Sequence, residues 1–383
     1  MNILIVGSLN TIFLHSYKKI FEDLGHKVFI GNSSNLVEHE DERNGFNFNG
    51  KNKEKSNNKL RRLASRLNFD NSNFFWKIVE FKEYHSQLSE EKTNEISKFI
   101  IEKNIEFVYC FWGTTLKKEV FALNKLKSDY NLSFKIVLCV NTYPVRYVLP
   151  KEVNKNSLRY LNQDVKYFNC FDDVICPTRK MATLLKDKLK VDSNVYVRPD
   201  FLSHHYFSND DNQKIVKKSI IFLGNVDFSQ RTLDDVSKTI VSIANKGIDV
   251  WVQEPCCISH EHVHTFPPFS YEDIAQGMLG NFIKQFSASL VIYNDYNNLR
   301  TSLGYPTRFA LATLGRGYIL LPKGTFDGIE ETMCQEEFGP IKLFEDIDQI
   351  EKIIFELDRL GKPDFGDLFS SYPEFEMEDF LIT

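Results

Sequence analysis

The chain has 383 residues, 42% of them hydrophobic and 26% charged, with a net charge of −5. That length accommodates two domains, each with its own core; the composition excludes wholesale disorder, and the negative charge argues against a general nucleic-acid binder. Seven cysteines, at 110, 139, 170, 176, 256, 257 and 334, lie mostly in apolar runs without CxxC pairs, which points to reduced thiols and a cytosolic compartment.

In chain order, Asn2–Gly7 predicts a strand; it carries no basic leader, and Asn10 interrupts the apolar run too early for a signal peptide. A turn over Ser8–Asn10 leads into a helix running to Leu24, with Gly25 as its stop and Lys27–Ile30 as the next strand. Residues 38–75 are dense in Asn, Lys, Glu and Arg and too long for an ordinary connection, so they read as an insertion. Within it Leu60, Leu63 and Leu67 fall at helical spacing, with Arg61, Arg62 and Arg66 on other faces; this suits a solvated surface helix or peripheral contact with an anionic membrane through 51–67. Phe107–Phe111, Lys135–Val140 and Val174–Cys176 continue the strands, and Lys180–Leu189 is helical.

The polar stretch 209–218 reads as a linker between a first domain, 1–208, and a second, 219–355, with an acidic, aromatic tail over 356–383. In the second domain Ser219–Leu223, Asp249–Gln253, Leu290–Tyr293 and Tyr318–Leu321 predict strands, and Thr232–Asn245 and Thr307–Leu314 predict helices. Short Ile-, Val- and Phe-rich runs alternating with helical patterns are the signature of a parallel sheet with crossover helices. Two such series imply two Rossmann-like α/β domains, expected to face each other across a cleft. No apolar run approaches the roughly 20 residues that span a bilayer.

Several residues are candidates for chemistry. Gly7, Ser8 and Asn10 form the turn at the carboxyl end of the first strand, where parallel sheets collect ligands; tight strand-to-helix geometry is the competing reason for the glycine. His15, a little further into the following helix, is a candidate base near neutral pH, or else a packing or capping residue. Cys256 and Cys257 with His260, His262 and His264 are zinc-type ligands, but the cysteines are adjacent and the histidines alternate as on a strand, so no metal site is expected. Asp346 and Asp348 precede a helical pattern, where acids favour the helix start. The chain has no GxGxxG, Walker or GxSxG motif.

Five segments share one order with a known family: Phe171–Thr178 (FDDVICPT), Val195–Phe201 (VYVRPDF), Ser219–Asn225 running on to Gln230-Arg231-Thr232, His264-Thr265-Phe266, and Gly304–Leu321 (GYPTRFALATLGRGYILL). Together they resemble the GT-B glycosyltransferases, in particular the large retaining group that uses nucleotide-sugar donors. The resemblance implies that backbone near Gly224 and Asn225, with Arg231, receives the donor diphosphate, Asn225 standing where a basic residue is usual. It implies that Phe266 offers a face to the base. It implies, too, that Pro306 opens a helix whose start, with Tyr305, Thr307 and Arg308, meets the diphosphate. Ala310 stands where the family has the Glu that holds the ribose, leaving that role to another group such as Glu254 or Glu330.

The implied activity is transfer of a sugar from a nucleotide-sugar donor to a glycan or lipid-linked acceptor, in bacterial surface polysaccharide or glycoconjugate synthesis. Arg231 and Arg308 would stabilise the leaving phosphate without a metal or cofactor, in the cytoplasm or at the inner membrane face. A sugar-nucleotide epimerase and a non-catalytic binding or scaffold module of the same fold are the alternatives.

Overall fold

The computed structural model describes residues 1–8, 11–33, 45–48, 81, 88–145, 149–199, 202, 206–207, 215–225, 236–294, 298–333, 339–361 and 363. The chain divides after Pro199 into two compact units.

The first unit is built on seven strands: β1 (Asn2–Gly7), β2 (Lys27–Asn32), β3 (Gly45–Asn47), β4 (Phe107–Phe111), β5 (Lys135–Cys139), β6 (Asp173–Cys176) and β7 (Asn194–Val197). Their order is β3-β2-β1-β4-β5-β6-β7 and every pairing is parallel. The central strands are buried along nearly their whole length, as a sheet covered by helices on both faces requires, which is why β1 from Ile3 and all of β4 read as apolar runs. The helix Ile12–Asp23 lays Phe13, Leu14, Tyr17 and Phe21 onto this sheet. Thr11 caps its start by accepting from the Phe13 amide, and Gly25, at φ +79°, turns the chain out of it.

The second unit repeats the plan with β8 (Val216–Asn225), β9 (Asp249–Gln253), β10 (Val263–Phe266), β11 (Phe286–Leu290), β12 (Tyr318–Pro322) and β13 (Ile341–Phe344). The order is β10-β9-β8-β11-β12-β13, again all parallel. Ile220, Phe222, Ile240, Val250, Val252, Leu290, Leu320 and Ile354 form the centre of its core. In both sheets the strand order reverses beside the first strand, between β1 and β4 in one and between β8 and β11 in the other. In open α/β sheets that reversal opens a crevice at the carboxyl edge, where ligands bind.

Several boundaries differ from expectation. Gly45–Asn47, inside the expected insertion, is a sheet strand paired with β2, and it seats Phe46 and Phe48 in the core. The rest of that stretch, including 51–67 and the leucines 60, 63 and 67, lies outside the described residues. The strand expected at Leu290–Tyr293 is Phe286–Leu290, because Ser287 and Ser289 are buried within it despite their polarity. Residues 216–218 of the expected linker are strand, and 356–360 of the expected tail complete the helix Gln349–Leu360. The helix beginning at Arg179 passes into a π turn over Leu184–Lys188.

Candidate functional site

At the reversal of the second sheet, one arginine joins three elements. Arg308 is the second residue of the helix Thr307–Thr313 and is 7% exposed. Its Nη1 donates to the Ile292 carbonyl at 3.0 Å, just past the end of β11. Its Cζ lies 4.8 Å from the ring centroid of Phe222, on β8, and 4.5 Å from that of Tyr293. Two aromatic faces and a carbonyl therefore hold the guanidinium in one orientation. Gly224 closes the arrangement. A Cβ built there would lie 2.6 Å from Arg308 Nε, and the residue sits at φ +131°, a conformation that favours glycine. The register with β9 shifts between Phe222 and Asn225, so the backbone bulges around Gly224. The end of β8 and the start of the helix thus meet at the carboxyl edge, while the rest of the expected loop, 226–231, lies outside the described residues.

Gly224→Ala is expected to destabilise the protein by more than about 1 kcal/mol, since it combines a forbidden φ with a side chain placed on Nε. Urea unfolding measures this; an unchanged midpoint would show that Gly224 does not lie against Arg308.

The other expected site residues around this sheet have other surroundings. Pro306 is the N-cap (φ −68°, ψ 143°) rather than the first helical residue, and its carbonyl accepts from the Phe309 amide at 2.8 Å. Thr307, half-buried, is the first helical residue, whereas Tyr305 is buried edge-on against Phe309, 4.8 Å between centroids. Phe266 is buried among Phe269 and Phe282, so its ring faces the core instead of offering a face to a base. Beside it Glu254, exposed just beyond β9, accepts from Thr265 Oγ1 at 3.2 Å. Glu330 accepts from the Gly324 amide at 2.7 Å and is tied to the turn after β12. Ala310 is 1% exposed. Asn225 ends β8, but its side chain, and Arg231 within 226–235, lie outside the described residues.

The histidines of the Cys256–His264 segment bond to neighbouring side chains. His262 Nδ1 and His264 Nε2 lie 2.9 and 3.1 Å from Asp249 Oδ1, and His260 bonds Asn245. Burial raises the Asp249 pKa, but the two histidine bonds outweigh it and hold the carboxyl below its ordinary value.

In the first unit, the place of a Gly7 side chain is filled by the Phe111 ring, so packing accounts for that glycine. Ser8 follows it, half-buried; His15 is a half-buried residue of the first helix, and Asn10 lies outside the described residues. Sequence reasoning missed Trp112 and Asn141, at the ends of β4 and β5, and the buried ion pair behind them. Lys117 Nζ lies 2.9 Å from Asp164 Oδ1, with both side chains excluded from solvent, and the Tyr143 hydroxyl donates to Asp164 Oδ2 at 3.2 Å. Tyr167 donates to the Gly113 carbonyl. Burial above all, and the neighbouring Cys110 and Glu119, push its phenol well above the ordinary value and keep it a donor. The sequence signal available was an aromatic followed by glycine, Trp112-Gly113, directly after a buried strand.

No protein-family profile matches the chain, and no curated protein matches it in sequence. Among solved structures it is similar to sucrose-phosphate synthase from Thermosynechococcus elongatus, at 9% identity over 94% of this chain and 90% of that one, with a TM-score of 0.56. It is also similar to a glycosyltransferase from Rickettsia africae ESF-5, at 11% identity over 94% of this chain and 89% of that one, with a TM-score of 0.54. With two parallel Rossmann-like sheets in the order described, the chain has the GT-B glycosyltransferase fold.

Proposed function

We propose that this protein is a glycosyltransferase that moves a sugar from a nucleotide-sugar donor to a glycan or lipid-linked acceptor, in surface polysaccharide or glycoconjugate synthesis. The observation that carries this reading is the meeting of Gly224 and Arg308 at the reversal of the second sheet. In the transfer the bond between the anomeric carbon and the phosphate oxygen breaks. The acceptor hydroxyl oxygen bonds that carbon and gives up its proton, and negative charge grows on the departing diphosphate. A guanidinium already fixed by Phe222, Tyr293 and the Ile292 carbonyl needs little reorganisation to meet that charge, which is the property that makes electrostatic stabilisation effective. A phosphate oxygen would meet the guanidinium beside Gly224, whose lack of a side chain lets the backbone come this close to Nε.

Arg231 is assigned a second phosphate contact and His15 the role of candidate base, with no metal or cofactor taking part. The ribose is left to Glu254, exposed and bonded to Thr265 Oγ1, or to Glu330, bonded to the Gly324 amide. The basic stretch 51–67 is assigned peripheral contact with an anionic membrane from the cytoplasmic side.

A thermal-shift screen of nucleoside diphosphates and sugar nucleotides tests the proposal. A ligand at 100 times its dissociation constant stabilises the fold by about 2.7 kcal/mol, well within reach of the method. Stabilisation by at least one of them, with nucleotide release that depends on added glycan or lipid-linked acceptor, is expected. Binding with no acceptor-dependent release would favour the epimerase or scaffold alternative, and stabilisation by none would reject the proposal.

A further inference from the structure

We propose that Trp112 is a stacking platform for a pyranose ring of the carbohydrate acceptor, at the reversal of the first sheet. The word acceptor rests on the transferase reading; the carbohydrate site itself rests on the geometry of this unit.

Trp112 directly follows β4, the strand that neighbours β1 where the order reverses. Its backbone has φ +82°, a conformation that is unfavourable for a bulky residue and normally left to glycine. The surroundings hold it there. The Trp112 amide donates to Asn141 Oδ1 at 3.2 Å and to the Cys139 carbonyl at 3.1 Å, and its own carbonyl accepts from Thr115 Oγ1 at 2.9 Å. Gly113, at φ +57°, has no room for a Cβ against the Thr142 carbonyl. Beyond these contacts the Lys117, Asp164 and Tyr143 cluster ties the start of the helix after β4 to the segment after β5, entirely out of solvent.

Glycine at 112 would remove the strain that the tryptophan carries, and such strain persists at sites where function uses the side chain. The indole packs on Phe13, with centroids 6.2 Å apart, and remains partly exposed. Beside it Asn141 is 1% exposed, and its Nδ2 is buried with no hydrogen-bond partner. Because its Oδ1 is engaged by the Trp112 amide, the orientation of that carboxamide is fixed and the donor is left over. A partly exposed indole beside an amide donor without a partner matches a sugar ring, which presents C–H bonds on one face and hydroxyl oxygens around its rim. A nucleobase also stacks on an indole, so the test includes a nucleotide.

The 383-residue chain, labelled with 5-fluorotryptophan, carries three reporters, Trp76, Trp112 and Trp251. Their fluorine signals are assigned with single Trp→Phe variants and followed on adding methyl glycosides of glucose, galactose, mannose and N-acetylglucosamine, and separately UDP. The Trp112 signal is expected to move with at least one glycoside and not with UDP. Trp112→Ala and Trp112→Gly should weaken acceptor use by about tenfold or more, while Trp112→Tyr retains most of it. Nucleotide affinity should be unchanged in all three. Trp112→Gly should also be at least as heat-stable as Trp112→Ala, because glycine relieves the positive φ.

A Trp112 signal unmoved by every glycoside, or moved by UDP alone, would overturn the proposal. So would acceptor-dependent transfer that is indifferent to Trp112→Gly, an outcome that leaves the transferase reading standing. Failure to bind any nucleotide, together with a glycoside response at Trp112, would remove the transferase reading and keep the carbohydrate site.

Discussion

Arg308→Ala is expected to weaken binding of the nucleotide donor, or slow transfer, by roughly tenfold to a hundredfold, the range that a charge-assisted hydrogen bond of about 1.5–3 kcal/mol represents. Arg308→Lys should lose a large part of the same effect although it keeps the charge. An ammonium has no planar fork to slot between Phe222 and Tyr293, and it cannot hold the Ile292 carbonyl and a phosphate in one plane. Unfolding curves of both variants are needed alongside, because the side chain is buried and the alanine leaves a gap between two rings. Wild-type donor affinity and turnover in both variants would place the diphosphate elsewhere.

Breaking the Lys117–Asp164 pair is expected to be the most damaging change to stability in the first unit. Both side chains are excluded from water, so Lys117→Met alone would strand the carboxylate in the core, at a cost of about 3–5 kcal/mol. Adding Asp164→Asn removes the stranded charge while keeping an acceptor for the Tyr143 hydroxyl, and it should recover much of the loss. Denaturant midpoints of the single and double variants measure both effects. A single variant as stable as wild type would mean that water reaches the pair.

The parts of this fold legible in the sequence are those whose signal is local. The strands β1 and β4 were delimited to the residue, because a buried parallel strand is a dense apolar run with turn residues at its ends, and β9 through its alternation of buried and half-buried residues. The strand Gly45–Asn47 was lost in an Asn-rich stretch, since three residues carry too little pattern to separate from a loop. β11 was displaced because Ser287 and Ser289 are buried despite their polarity, Ser287 Oγ bonding the Val216 carbonyl and Asp358. At the site, Gly224 and Arg308 were legible through the order of motifs. The sandwich of Phe222 and Tyr293 was not, because Phe222 lies on β8 and Tyr293 just past the end of β11, segments that only the sheet brings together. The resemblance implies that Phe266 offers a face to the base, whereas packing against Phe269 and Phe282 buries its ring. Trp112 and Asn141 escaped for the same reason: neither a positive φ nor an orphaned amide has a signature in composition or periodicity.

The claim that the donor diphosphate binds where Gly224 meets Arg308 is tested most directly by two resonances in a deuterated sample, the Arg308 Nε–H and the Gly224 backbone amide. They are followed while the nucleoside diphosphate giving the largest thermal shift is titrated in. Both should move in a saturable way with one common dissociation constant. Saturable binding that leaves both resonances in place would contradict the account.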